Sequence, residues 1–335
     1  MLRIPLQNIF AELKKRLLNI FSKYKKRLIT AGVILAVLCL LSLIYIIRSP
    51  VLVVTDEIFE NLYGIERMQR QRRSVSFSLF RRVISVVVAD GAGPDIVSAA
   101  VSGAAVRPFC VVFPRRYASA AVFYHEDYPR IRSVVLGGLV HPYNLPMPNG
   151  VLCVYGTDLD TDLYRAGVFA GILANARRAL AAQDEDTVPG RQAIVFWQNY
   201  SVSERQHLLF IMGVNENSPD SEVVFINSPG EMPEMEDLAC AVLSSSGAEF
   251  FDRIPRIPII LFSWLDPVFT SEEVVIMFDD SPWSQIVAAV RLAARRVEEG
   301  KIPSKTLIFS GRITDKSVFR ILRKSAGKSL NNVYL

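Results

Sequence analysis

The chain has 335 residues, half of them hydrophobic, enough to bury a sizeable core in two modest domains and unlike a disordered composition. Its net charge of +5 is concentrated: residues 1–48 hold nine of the 38 bases and one of the 33 acids, which leaves 29 bases to 32 acids and a net of −3 beyond them. The main body thus offers no electrostatic case for nucleic-acid binding, and four cysteines without close spacing, at 39, 110, 153 and 240, argue for free thiols rather than a disulfide framework.

Leu6, Phe10, Leu13, Leu17, Phe21 and Tyr24 recur at three- to four-residue spacing with lysines between them. That pattern fits a basic amphipathic helix on the anionic inner leaflet, and equally a charged flank that sets topology. Leu28 to Ile47 then runs for twenty residues without a charge. At about 1.5 Å per residue it matches the roughly 30 Å hydrocarbon thickness of a bilayer. Eight bases precede the run and only Arg48 follows closely, so the bias of positive charge toward the cytoplasm puts the N-terminus inside and the body outside. The run exceeds that of a signal peptide, and no small-x-small site precedes Arg48-Ser49-Pro50. Cys39 lies mid-run, where a lipoprotein signal would need its acceptor at the end. The expectation is a basic cytoplasmic segment over residues 1–27, an uncleaved single-pass transmembrane helix over 28–47 in the cell inner (cytoplasmic) membrane, and a periplasmic body.

After the span, Val51 to Thr55 predicts a strand ending at Asp56, and Glu57 to about Gln71 a helix. Ser74 to Phe80 alternates like a strand but could extend that helix. Continuous apolar runs, which suit strands buried on both faces of a parallel sheet, recur at Val83–Ala89, Phe109–Phe113, Ser133–Leu136 and Val151–Tyr155. Helical stretches at about Pro94–Ala105 and Tyr117–Tyr124 separate them, so the first half reads as doubly wound α/β.

An acidic turn, Asp158, Asp160 and Asp162, opens an Ala/Gly-rich helix to about Ala182. Beyond it come strands at Ala193–Trp197, Val223–Asn227, Pro258–Phe262, Val274–Phe278 and Thr306–Phe309. Helices are expected at about Ser203–Asn215, Met235–Ser245, Trp283–Glu299 and Lys316–Lys324, with Ser281-Pro282 a start and Gly300 a stop for the third.

No sequence motif points firmly to catalysis. Asp90-Gly91-Ala92-Gly93-Pro94 resembles a phosphate turn, but Ile96 stands at the third glycine and Pro114-Arg115 where an acid should end the next strand. Ser325-Ala-Gly-Lys-Ser329 lacks the first glycine of a P-loop. His125, His141 and His207 have no metal-ligand spacing, and no GxSxG elbow occurs. No enzyme, cofactor or metal is expected. In open parallel α/β sheets ligands bind beyond the carboxyl ends of the strands. Those positions hold Asp56, Asp90, Gly137, Gly138, Asp158, Trp197, Gln198, Asn199, Asn227, Trp264, Asp266, Asp279 and Asp280. Aromatic rings and carboxylates there could stack a planar ring and accept hydrogen bonds from hydroxyls. The same acids also suit helix N-caps, and the same tryptophans a packed lobe boundary.

Val51–Gly64, Tyr164–Gly171, Phe210–Val214 and Val274–Gly300 together resemble type I periplasmic-binding proteins, most closely the basic membrane protein family, which includes purine-nucleoside-binding lipoproteins. The resemblance spans nearly all of residues 51–310. It implies an α/β, two-lobed architecture of two doubly wound parallel sheets behind the transmembrane helix, with an N-terminal lobe of 51–157 plus 282–300 and a C-terminal lobe of 158–281 plus 304–335. The chain would cross between lobes near Gly156–Asp158, Asp279–Pro282 and Gly300–Lys305. A small-molecule ligand, nucleoside- or sugar-like, would bind between the lobes against Asp56, Asp90, Asp158, Trp197, Asn227, Trp264 and Asp279, for a transporter or a sensor and without catalysis. Three features depart from the family: the uncleaved span, the pattern Asp56-Glu57-Ile58-Phe59-Glu60-Asn61 in place of Asp-Asp-x-x-Phe-Asn, and a second lobe that looks one strand and helix short before Ile257–Trp264. The last leaves open a closed cleft and a scaffold that docks envelope proteins.

Overall fold

A computed structural model describes residues 6–105, 107–137, 146–182, 192–198, 202–228, 231, 238–243, 257–262 and 272–327. The chain divides into two units, one formed by α1 (Leu6–Ile47) to Ser49 with the short segment Phe80–Arg82, the other by the rest. The basic flank and the apolar run form this one continuous helix, whose stretch Ile29–Ile47 has a mean hydropathy of 2.7 and is long and apolar enough to cross a membrane. From Ile29 to Arg48 every residue except Tyr45 is exposed. Phe80 accounts for the exception, its ring set edge-on to Tyr45 at 5.9 Å.

In the second unit each continuous apolar run becomes a strand, the central ones such as Val51–Asp56 buried on both faces and edge ones such as Val83–Val88 only in part. Six form one sheet: β1 (Val51–Asp56), β2 (Val83–Val88), β3 (Cys110–Pro114), β4 (Arg132–Leu136), β5 (Leu152–Thr157) and, late in the chain, β11 (Glu299–Ile302). Their order is β11-β5-β4-β3-β1-β2, all parallel. The other sheet holds β6 (Ala193–Trp197), β7 (Glu222–Ile226), β8 (Leu238–Leu243), β9 (Ile259–Leu261), β10 (Val274–Asp279) and β12 (Lys305–Ile308) in the order β12-β10-β9-β8-β6-β7, with only β12 antiparallel.

Helices cover both faces of the first sheet. α2 (Glu57–Tyr63), α3 (Ile65–Leu79) and α8 (Pro282–Ala294) bury Tyr63, Met68, Trp283 and Ile286 on one. On the other, α4 (Pro94–Ala104) and α5 (Ala118–Asp127) bury Val97, Val101 and Tyr124. α6 (Leu159–Ala181), α7 (Glu204–Asn215) and α9 (Lys316–Ser325) share a core with the second sheet through Phe169, Phe210, Leu322 and Phe278.

Three expectations need correction, and one alternative is decided. The first helix breaks at Gly64, whose φ of 87° is left-handed and free of strain only for glycine. Ser74–Leu79 extends α3 rather than forming a strand, with Val75 buried and Phe77 exposed on the same helix. The helix expected at Met235–Ser245 is instead β8, all six residues buried. Among the described residues the second sheet thus has six strands, as many as the first, with β8 supplying one before β9; residues 244–256 lie outside the described residues. Finally, α8 stops at Ala294 instead of Glu299. Val297 N–H donates to Leu292 at 3.1 Å and Arg296 N–H to Ala293 at 3.0 Å, with Arg296 left-handed at φ 62°. That 6→1 and 5→2 pair is a Schellman motif built on arginine, and it frees Glu299–Ile302 to join the first sheet.

α6 is rich in small residues because it meets α7 backbone to backbone. A methyl on Gly167 would lie 2.1 Å from the Phe210 carbonyl oxygen, and one on Gly213 2.2 Å from that of Tyr164. The close approach is thus to a helix rather than to the sheet, on which α6 lies through Ala170; its carbonyl accepts a 3.8 Å bond from Cys240 Sγ.

Candidate functional site

The carboxyl edge of the first sheet carries an assembled charge cluster. Asp56 ends β1, almost fully buried, and caps α2 by accepting from Phe59 N–H at 2.7 Å. Its other carboxylate oxygen takes the Arg116 guanidinium at 2.9 Å and the Tyr117 hydroxyl at 3.3 Å. Arg116 also pairs with Asp90, just beyond β2. Burial works against the Arg116 cation, but the hydrogen bond to Asp90 and the charge of Asp56 outweigh it and raise its pKa. Burial, and then the Asp56 carboxylate, push Tyr117 up to about 12. Arg116 and Asp90 remain about half exposed, at 47% and 45% of their side chains, so this pair alone of the cluster can meet a ligand. Beside them Arg115 Nε is buried without a hydrogen-bond partner among the described residues. Neither arginine was among the sequence candidates, although both directly follow β3 at the carboxyl edge of the sheet.

On the second sheet Trp197 ends β6, is buried, and donates from Nε1 to the Asn227 carbonyl at 3.4 Å. Asn227 itself is exposed and accepts from Gln198 at 3.1 Å. Gln198 Oε1 lies 2.8 Å from His207 Nε2, whose pKa burial lowers. Trp264, and with it Asn199 and Asp266, lies outside the described residues. Asp279 ends β10 with no exposure and accepts from Ser281 N–H at 3.0 Å. It pairs at 3.2 Å with Arg67 of α3, whose guanidinium stands 4.4 Å from the Tyr63 ring centroid. That ion pair ties a helix packed on the first sheet to a strand of the second.

The chain passes from one sheet to the other after β5, after β10 and between β11 and β12, and hydrogen bonds knit these passages together. Asp158 caps α6, accepting from Thr161 N–H at 3.2 Å and its hydroxyl at 2.7 Å, while its own N–H donates to Ile302 at 3.0 Å. Gln285 of α8 donates from one amide nitrogen to Thr157 at 3.1 Å and to the Ile302 carbonyl at 3.2 Å. Asp162, completely buried, accepts the Ser304 N–H on both oxygens at 3.0 and 3.1 Å.

Burial raises Asp162 from the ordinary 3.8 to about 7, against the hydrogen bonds from Ser304. Between those values the folded chain holds a proton that the unfolded chain has released, so the Asp162 contribution makes stability fall as pH rises through the window. Asp162→Asn is expected to flatten that slope in urea denaturation series across the window. An unchanged slope in the variant would remove Asp162 as its source.

A cavity of about 750 Å³ opens between the α2–α3 corner, with Gly64, Arg67 and Arg70, and the second sheet at Met277, Leu307 and Phe309. None of the six predicted contacts among the described residues lines it, although Arg67 joins it to Asp279. Among the described residues no group of three His, Cys, Asp or Glu side chains could hold a metal ion.

No protein-family model and no curated protein matches the chain. Solved structures do. A solute-binding protein of an ABC transporter system from Conexibacter woesei DSM 14684 aligns with a TM-score of 0.51 at 11% identity, covering 83% of this chain and 95% of that one. A transcriptional activator of the comK gene from Bacillus halodurans aligns at 0.48 and 11%, covering 83% and 96%. A periplasmic solute-binding protein from Actinobacillus succinogenes 130z with bound D-allose aligns at 0.41 and 10%, covering 78% and 98%. The two parallel-dominated sheets and the first of these likenesses give the second unit the type I periplasmic-binding-protein fold.

Proposed function

We propose that the chain is a membrane-anchored, extracytoplasmic binding protein that captures a small polar ligand, nucleoside- or sugar-like, between the carboxyl edges of its two sheets. α1 would span the inner membrane with its basic end cytoplasmic, and the body would serve a transporter or a sensor without catalysis, in the manner of the basic membrane protein family. The solute-binding protein from Conexibacter woesei supports this reading through its fold. The observation that carries it is Arg116, a half-exposed cation held in place by two carboxylates at the carboxyl edge of the first sheet.

Arg116 and Asp90 would supply the donor and acceptor for ligand hydroxyls, with Asn227 opposing them from the other sheet. Of the remaining predicted contacts, Asp56, Asp158 and Asp279 orient the edge through their bonds to Arg116, Thr161 and Arg67. Trp197 supports it from the core, and Trp264 stays a proposed contact.

Ligand binding to the folded state raises the melting temperature, and a concentration of about 100 times Kd adds roughly 2.7 kcal/mol. The full chain in detergent, scanned against nucleosides, sugars and amino acids, is expected to give such a shift with one class. Arg116→Met should abolish it while keeping a cooperative melt. A panel without any shift would discard the reading in favour of a second one, an envelope interaction scaffold whose cleft is held by its own groups. The Arg67–Asp279 pair, which joins the two halves without a ligand, favours that alternative.

A further inference from the structure

The cavity between the α2–α3 corner and the second sheet has two unlike walls. Its charged lining among the described residues, Glu66, Arg67 and Arg70, stands on the helix side, along α3. Arg67 is already engaged, paired with Asp279 and set over the Tyr63 ring. Glu66 and Arg70 are exposed, and neither forms an ion pair or a hydrogen bond with another described residue. The sheet side is apolar: Met277 of β10, almost fully buried, with Leu307 of β12 and Phe309 just after it, both half-buried. An unpaired carboxylate, an unpaired guanidinium and an apolar floor together match an occupant that carries an ammonium, a carboxylate and apolar side chains. Four residues of helix separate Glu66 from Arg70, about 6 Å along the axis. An extended chain advances about 3.5 Å per residue, so a peptide of two residues brings its termini to that separation. The volume of about 750 Å³ lies within the usual range of small-molecule sites.

We propose that this cavity is a second binding site, for an apolar dipeptide with free ends: its carboxylate on Arg70, its ammonium on Glu66, and its side chains on Met277, Leu307 and Phe309. The site stands apart from the Arg116–Asp90 edge, and neither of those residues lines it. One wall belongs to a helix packed on the first sheet and the other to the second sheet, so an occupant would join the two beside the Arg67–Asp279 pair.

The test titrates the full chain in lipid nanodiscs with the dipeptide Leu-Phe, with its N-acetylated and its C-amidated forms, and with Gly-Gly. Leu-Phe is expected to bind and Gly-Gly, which has no side chains for the apolar floor, is not. Each cap removes one charge-assisted bond and should weaken Leu-Phe by about ten-fold or more. Arg70→Gln should erase the penalty of the C-terminal amide and keep that of the acetyl group, and Glu66→Gln should do the reverse. Both positions are exposed on α3, so neither change removes a packed residue. Absence of Leu-Phe binding, equal affinity for the capped forms, binding of Gly-Gly as tight as that of Leu-Phe, or cap penalties unchanged in either variant overturns the proposal. Loss of Leu-Phe binding in Arg116→Met overturns it as well, by placing the peptide at the carboxyl edge of the first sheet.

Discussion

Gly213→Ala destabilises the protein by about 3 kcal/mol in urea denaturation, at the upper end of what an added methyl costs in a packed interior. The new carbon would lie 2.2 Å from the Tyr164 carbonyl oxygen and 2.7 Å from the Val168 nitrogen, both backbone atoms of α6. No side chain can turn aside to admit it, so the two helices must separate. Their separation would also loosen Phe210 and Phe169 in the shared core. Gly311→Ala, where an added methyl meets nothing within 4 Å, serves as the control, expected within about 0.5 kcal/mol of wild type. A cost near the control value at Gly213 would mean that α6 and α7 do not touch along their backbones.

The second large effect is expected at Arg67. Removing one partner of a buried ion pair leaves an uncompensated charge and typically costs about 3–5 kcal/mol. Asp279 has no exposed surface, but Arg67 keeps 29% of its side chain in water, which places Arg67→Met toward the lower end, about 2–3 kcal/mol. Adding Asp279→Asn should recover a good part of that loss, because an amide needs no counter-charge and Ser281 N–H can still donate to its oxygen. The four-member cycle of wild type, both single variants and the double variant reads the coupling directly. Additive losses would dismiss the pair as a latch between the sheets.

Most strands were legible because a strand buried on both faces has to be a run of apolar residues, and β1 and β10 are such runs with every residue buried. The start of α8 was legible for a different reason. A serine before a proline offers both an N-cap and a first residue that needs no N–H donor, and Ser281 accepts from Ser284 N–H as that rule requires. β8 was missed because Leu-Ala-Cys-Ala-Val-Leu contains good helix formers, and only its position between β6 and β9 makes it a strand. β11 was invisible for the opposite reason: as an edge strand, Glu-Gly-Lys-Ile needs little apolar surface.

The charged groups show the limit more sharply. Asp56 and Asp90 were named from their places at strand ends, but the cation that joins them comes from the turn after a third strand and leaves no mark on local spacing. Among the three acids of the turn before α6, Asp158 was singled out as a ligand contact, whereas Asp162 is the one whose carboxylate reaches Ser304 across 142 residues. Burial decides that difference, and burial is set by the far passage of the chain.

Gln285 has one further consequence. By gripping Thr157 and Ile302 with a single amide from the start of α8, it joins three separate passages of backbone at one point. A displacement at any one of these passages is therefore expected to be felt at the other two.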